Sequence, residues 1–110
     1  MTESELQVFT KAIHTFGINE QYMKAIEEAS EFIRALSRFS TSKTPEIGHG
    51  DFENLIEEMA DLEIMLDQVQ ITLMDSNIIS LTQTARAKKV ERLAKRLDAI
   101  DKVKKHHGIN

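Results

Sequence analysis

The chain is 110 residues long, 41% hydrophobic and 29% charged, with a formal net charge of −4; these proportions fit one soluble domain over residues 1–110 and exclude a disordered chain. It contains no cysteine, which removes disulfides, thiolate metal sites and cysteine nucleophiles. No apolar run approaches the ~20 residues of a membrane span and the acidic N-terminus is unlike a signal peptide, so a cytoplasmic protein with no membrane partner is expected.

One proline, four glycines and 5% aromatics argue against many short strands and predict an all-α fold of long helices. The first helix runs from about Thr2 to Thr15. Thr2 and Glu5 have capping-box spacing, and Leu6, Phe9 and Ile13 form an apolar stripe. Gly17 interrupts the pattern, and Asn19 is placed to cap a second helix reaching about Phe39. Along it Tyr22, Ile26, Ala29, Ile33 and Leu36 recur at three- and four-residue intervals. Residues 40–50 hold the only proline and two of the four glycines, and read as a loop.

Asp51 is the expected N-cap of a third helix extending to about Asp75. Its main stripe is Leu55, Met59, Leu62, Leu66, Val69 and Leu73. A second apolar set, Ile56, Ala60, Ile64, Ile71 and Met74, lies on another side. A helix apolar on two sides is buried on both. The expected architecture is therefore a four-helix bundle with a central two-sided third helix, assembled as a homodimer or homotetramer. Ser76 or Asn77 caps the fourth helix, which carries Leu81, Ala85, Val90, Leu93, Leu97, Ile100 and Val103 and frays at His106, His107 and Gly108.

Charge is divided unevenly along the chain. Residues 1–75 hold 15 acids and five Lys or Arg, whereas residues 76–110 hold three acids and nine bases. A pair of motifs stands out within the acidic stretch. The second helix reads Glu27-Glu28-Ala29-Ser30-Glu31, and the third reads Glu57-Glu58-Met59-Ala60-Asp61. Residues three apart on a helix are neighbours, with β-carbons about 5–6 Å apart. Glu28 with Glu31, and Glu58 with Asp61, thus each present two carboxylates on one face. On the helical wheel Glu28 and Glu31 lie near Phe32 and Ala35, Glu58 lies beside the main stripe of its helix, and Asp61 shares a side with Met65. Two such pairs brought together repel without a cation, and hard divalent ions take this kind of all-oxygen donor set; Mg²⁺ usually joins carboxylates to substrate phosphates and water.

These motifs resemble the MazG-like family of all-α nucleoside triphosphate pyrophosphohydrolases, whose signature is E-E-x-x-E, a spacer, then E-x-x-D. The likeness extends from Phe16-Gly17 through residues 58–66 to Lys89-Val90-Glu91-Arg92-Leu93, in the order that the family uses, and is greatest to short stand-alone, phage-type members. It implies Mg²⁺-dependent hydrolysis between the α- and β-phosphates of a nucleotide, giving a monophosphate and pyrophosphate, with Mn²⁺ as a substitute metal. The family's metal-ligand positions fall on Glu28, Glu31, Glu58 and Asp61. Glu27 matches the leading Glu, which positions the attacking water or supports the ligands. Lys89 and Arg92, on one face of the basic fourth helix, and Lys24, one turn before Glu28, are the candidate cations for the substrate phosphates. A nucleoside triphosphate is the expected substrate, and nucleotide-pool house-cleaning the expected role.

Three other readings bear on the same residues. A di-iron carboxylate bundle requires Glu-x-x-His pairs on its helices. The histidines do not supply them: His14 lies in the first helix, His49 in the loop, and His106 and His107 in the tail. Phosphoribosyl-ATP pyrophosphohydrolases share the style of acidic motif but usually carry Tyr-His where this chain has Glu63-Ile64. The alternative from another class is a non-catalytic helical interaction or nucleic-acid-binding module using the basic C-terminal helix. That helix lacks aromatics for base stacking, and the acidic remainder repels phosphates, so nucleic acid is disfavoured as a partner.

Overall fold

A computed structural model of the chain describes residues 1–42, 50–73 and 78–108. Among these the regular structure is entirely helical: α1 (Glu3–Phe16), α2 (Ile18–Thr41), α3 (Gly50–Thr72) and α4 (Ile78–His106). The all-α expectation holds, and no helix is long and apolar enough to cross a membrane. The chain divides into two compact units, Met1–Met74 and Asp75–Asn110.

In the first unit α1 begins with the anticipated capping box. The Glu5 amide donates to Thr2 Oγ1 at 3.1 Å, and the Thr2 amide donates to Glu5 Oε1 at 2.8 Å. Gly17 both ends α1 and starts α2. Its amide donates to the Ile13 carbonyl at 2.8 Å and its own carbonyl accepts from Gln21 at 3.1 Å. The corner requires φ = +94°, which glycine adopts without the steric penalty of a β-carbon. The expected Asn19 cap is thereby corrected: Gly17 turns the chain in a single residue, so Asn19 lies inside the first turn of α2. Asp51 likewise lies inside the first turn of α3, which starts at Gly50. The expected Ser76 or Asn77 cap, the end of the third helix at Asp75, and most of the 40–50 loop fall outside the described residues.

The main packing is between antiparallel α2 and α3, with α1 resting more lightly on both. The pair is closed at one end by Phe39 against Phe52, ring centroids 6.0 Å apart. At the other end the Gln21 amide donates to Gln68 Oε1 at 2.6 Å and Tyr22 meets the Thr72 hydroxyl at 2.8 Å. Thr72 gives its own hydrogen to the Val69 carbonyl, so Tyr22 is the donor of this pair. Between these ends the buried positions are Glu28 and Ala35 of α2 and Leu55 and Met65 of α3.

This inner surface differs from the one that hydropathy predicts. On α2, Ile26, Ile33 and Leu36 of the expected stripe are exposed, while Gln21, Glu28 and Ala35 are buried. On α3, Leu55, Leu62 and Val69 face inward as expected, but Met59, Leu66 and Leu73 are exposed and Gln68 is buried. The reason is that α2 and α3 use polar side chains on their facing surfaces, which displaces some of the apolar pattern outward. In the second unit α4 is a single 29-residue helix, with residues 81–108 all exposed, Leu81, Val90, Leu93, Leu97 and Val103 among them.

Candidate metal centre

Halfway along the α2–α3 pair, three carboxylates converge. One oxygen each from Glu28, Glu31 and Glu58 lies within 4.8 Å of the other two. The pairing of the two α2 carboxylates follows from the i,i+3 spacing, and α3 delivers Glu58 from across the interface. Glu28 is 6% exposed, whereas Glu31 and Glu58 are half-buried. Two oxygens of the cluster, Glu28 Oε2 and Glu58 Oε2, are buried without a hydrogen-bond partner. An unpaired buried acceptor costs about 1–3 kcal/mol, more when charged. A cation coordinated by the three carboxylates would offset their repulsion and satisfy both oxygens.

The electrostatics agree with the geometry. The negative charge of Glu28 holds the Glu31 carboxyl above its ordinary value of 4.5, and burial and the charge and hydrogen bond of Glu58 push it the same way. Lys24 reaches the cluster from one turn earlier on α2, with its ammonium 3.0 Å from Glu28 and 3.8 Å from Glu27. The hydrogen bond to Glu28, reinforced by the charges of Glu28 and Glu27, raises the lysine's affinity for its proton. Lys24 is thus paired with Glu28 at the edge of the cluster. Rigid helices, oxygen donors only and unsatisfied lone pairs together fit a hard divalent ion such as Mg²⁺, which completes its shell with water and phosphate.

The remaining candidates are spread more widely. Glu27 is exposed and pairs with Lys24 at 3.8 Å. Asp61, one turn beyond Glu58, is exposed and stands outside the group of three. Lys89 and Arg92 are exposed on α4, in the second unit. Sequence reasoning missed the flanks of the cluster. On one side a cavity of about 430 Å³ is lined by Phe16, Gln21, Lys24, Met65 and Gln68, among others. On the other a cleft of about 250 Å³ is lined by Glu31, Arg34, Ala35, Arg38, Asn54 and Glu58. The spacing of Arg34 and Arg38, three and seven residues after Glu31, places them on the same helical face and was a legible signal. Comparison of the chain with protein-family models, with curated proteins and with solved structures finds no match.

Proposed function

We propose that the chain is a Mg²⁺-dependent nucleoside triphosphate pyrophosphohydrolase of the MazG-like kind, cleaving the α–β phosphoanhydride to a nucleoside monophosphate and pyrophosphate. The observation that carries this is the three-carboxylate cluster with two buried, unpartnered oxygens. Glu28, Glu31 and Glu58 hold the cation, and Asp61, one turn along α3 on the exposed side, is the fourth carboxylate assigned to it. When bound, the metal supplies charge neutralisation of the triphosphate and a water of lowered pKa.

The chain's own groups do the rest. Lys24, 3.0 Å from Glu28, orients that carboxylate. Glu31, whose carboxyl is held above its ordinary value chiefly by the charge of Glu28, would bind a cation in its deprotonated form. Glu27, exposed next to Glu28 on α2, is assigned to positioning the attacking water or to supporting the metal-binding carboxylates. Lys89 and Arg92 remain the fourth helix's candidate cations for the phosphates. The outward Met23, Ile26 and Ile33 of α2 and Ile56, Leu66 and Leu73 of α3, between 50% and 69% exposed, suit burial against further copies of the chain in a homodimer or homotetramer. The test is a panel of nucleoside triphosphates with Mg²⁺, with Mn²⁺ and with chelator. Turnover should require the metal and vanish in Glu58→Gln, whereas hydrolysis that survives chelation or that substitution sinks the proposal.

A further inference from the structure

The two flanks of the carboxylate cluster are chemically unlike. The cavity toward Lys24 is lined by apolar and amide groups together with Glu20 and Lys24, whereas the cleft on the opposite side sets two arginines and an asparagine beside Glu31 and Glu58. Glu31 and Glu58 are walls of that cleft, so a cation at the cluster and the Arg34 and Arg38 guanidiniums share one space. At 1.5 Å rise per residue, the backbones of Arg34 and Arg38 follow that of Glu31 by about 4.5 and 10.5 Å along α2. The cationic groups thus extend in a line away from the cluster. Neither guanidinium forms an ion pair among the described residues. Like charges four residues apart on a helix are mildly unfavourable, and an anion between them reverses that sign. Guanidinium matches phosphate with two parallel N–H···O bonds, which makes arginine suited to fix both position and orientation.

We propose that Arg34 and Arg38, with Asn54 opposite, form the subsite for the phosphates beyond the metal, binding the leaving diphosphate of a polyphosphate substrate. Substrate then lies along α2 with its phosphate tail toward Arg38 and its organic moiety toward the Phe16–Gln68 side. The cleft favours an extended anion over a single phosphate, because the second arginine lies a full turn further from the cluster than the first. This deepens the proposed function and rests on the cluster holding a divalent cation.

Two binding measurements separate the claims. Mn²⁺ binding is followed by electron paramagnetic resonance, and inorganic pyrophosphate binding to the Mn²⁺-loaded protein by calorimetry. Both are applied to the wild type, Arg34→Gln, Arg38→Gln and the double variant, with helical circular dichroism as the fold control. Both arginines are exposed, so the substitutions leave the packing intact. The expected result is Mn²⁺ affinity within about twofold of wild type and pyrophosphate affinity weakened about ten- to a hundredfold per arginine, the range for a lost charge-assisted hydrogen bond. Pyrophosphate affinity unchanged in the double variant, with Mn²⁺ binding intact, overturns the subsite and leaves the metal centre standing. Failure of the wild type to bind Mn²⁺ overturns the metal centre itself.

Discussion

Glu58→Gln should make the cation-free protein more stable while removing its response to metal. Glu58 and Glu28 present oxygens within 4.8 Å of each other, and each has one buried oxygen without a partner. Two unit charges at that separation repel by about 3.5 kcal/mol at an effective dielectric of 20. Glu58 is half-buried and Lys24 neutralises some of the Glu28 charge, which leaves a relief of about 1 kcal/mol for the isosteric amide. For a domain of this size that corresponds to a rise of about 4–8 °C in Tm. Wild type in Mg²⁺ at a hundred times its dissociation constant gains about 2.7 kcal/mol by mass action, which inverts the order. Thermal melts followed by circular dichroism, in chelator and in Mg²⁺, read both effects. A lower Tm for the variant in chelator, or an undiminished Mg²⁺ shift, refutes the reasoning.

Glu31 gives a pH dependence of defined sign. Below 4.5 folded and unfolded states both hold its proton; between 4.5 and the raised folded value only the folded state does, so cation-free stability falls as pH rises through that window. Melts in chelator should show this slope in wild type and its reduction in Glu31→Gln, and Mg²⁺ affinity measured by calorimetry should climb over the same window. Gln68→Ala strands the buried Gln21 amide and should lower stability by about 1–3 kcal/mol in denaturant titrations, whereas Gln21→Leu with Gln68→Leu removes both partners and should be nearly neutral. Ile33→Glu, at a residue 69% exposed on α2, should shift the protein to a smaller species in size-exclusion chromatography with light scattering. An unchanged mass places the subunit contact elsewhere.

The helices were legible because capping chemistry and length are local properties: Thr2 and Glu5 mark the start of α1, and Gly17 its end. The approach of Glu28, Glu31 and Glu58 was legible in the two i,i+3 motifs, whereas the expected fourth acid, Asp61, stands outside the group. The faces were less so. Gln21, Glu28 and Gln68 are buried, and Ile26, Ile33 and Leu66 are exposed, the reverse of what hydropathy alone assigns. A periodicity argument counts polar residues as outward, and it fails where a helix carries a site on its inner face and apolar residues on its outer one. The pairing of Lys24 was only partly legible. An i,i+4 acid was visible in the sequence, but its burial and the 3.0 Å approach were not. Arg34 and Arg38 were marked by their spacing after Glu31, but the charge asymmetry drew the search for cations to α4.

The most direct test of the account is phosphorus NMR of a nucleoside triphosphate incubated with the protein and Mg²⁺. A metal held by Glu28, Glu31 and Glu58 in a MazG-like site should yield nucleoside monophosphate and pyrophosphate in equal amounts, with none in the presence of chelator. Nucleoside diphosphate with orthophosphate, or no hydrolysis of any nucleotide with Mg²⁺ or Mn²⁺, contradicts it.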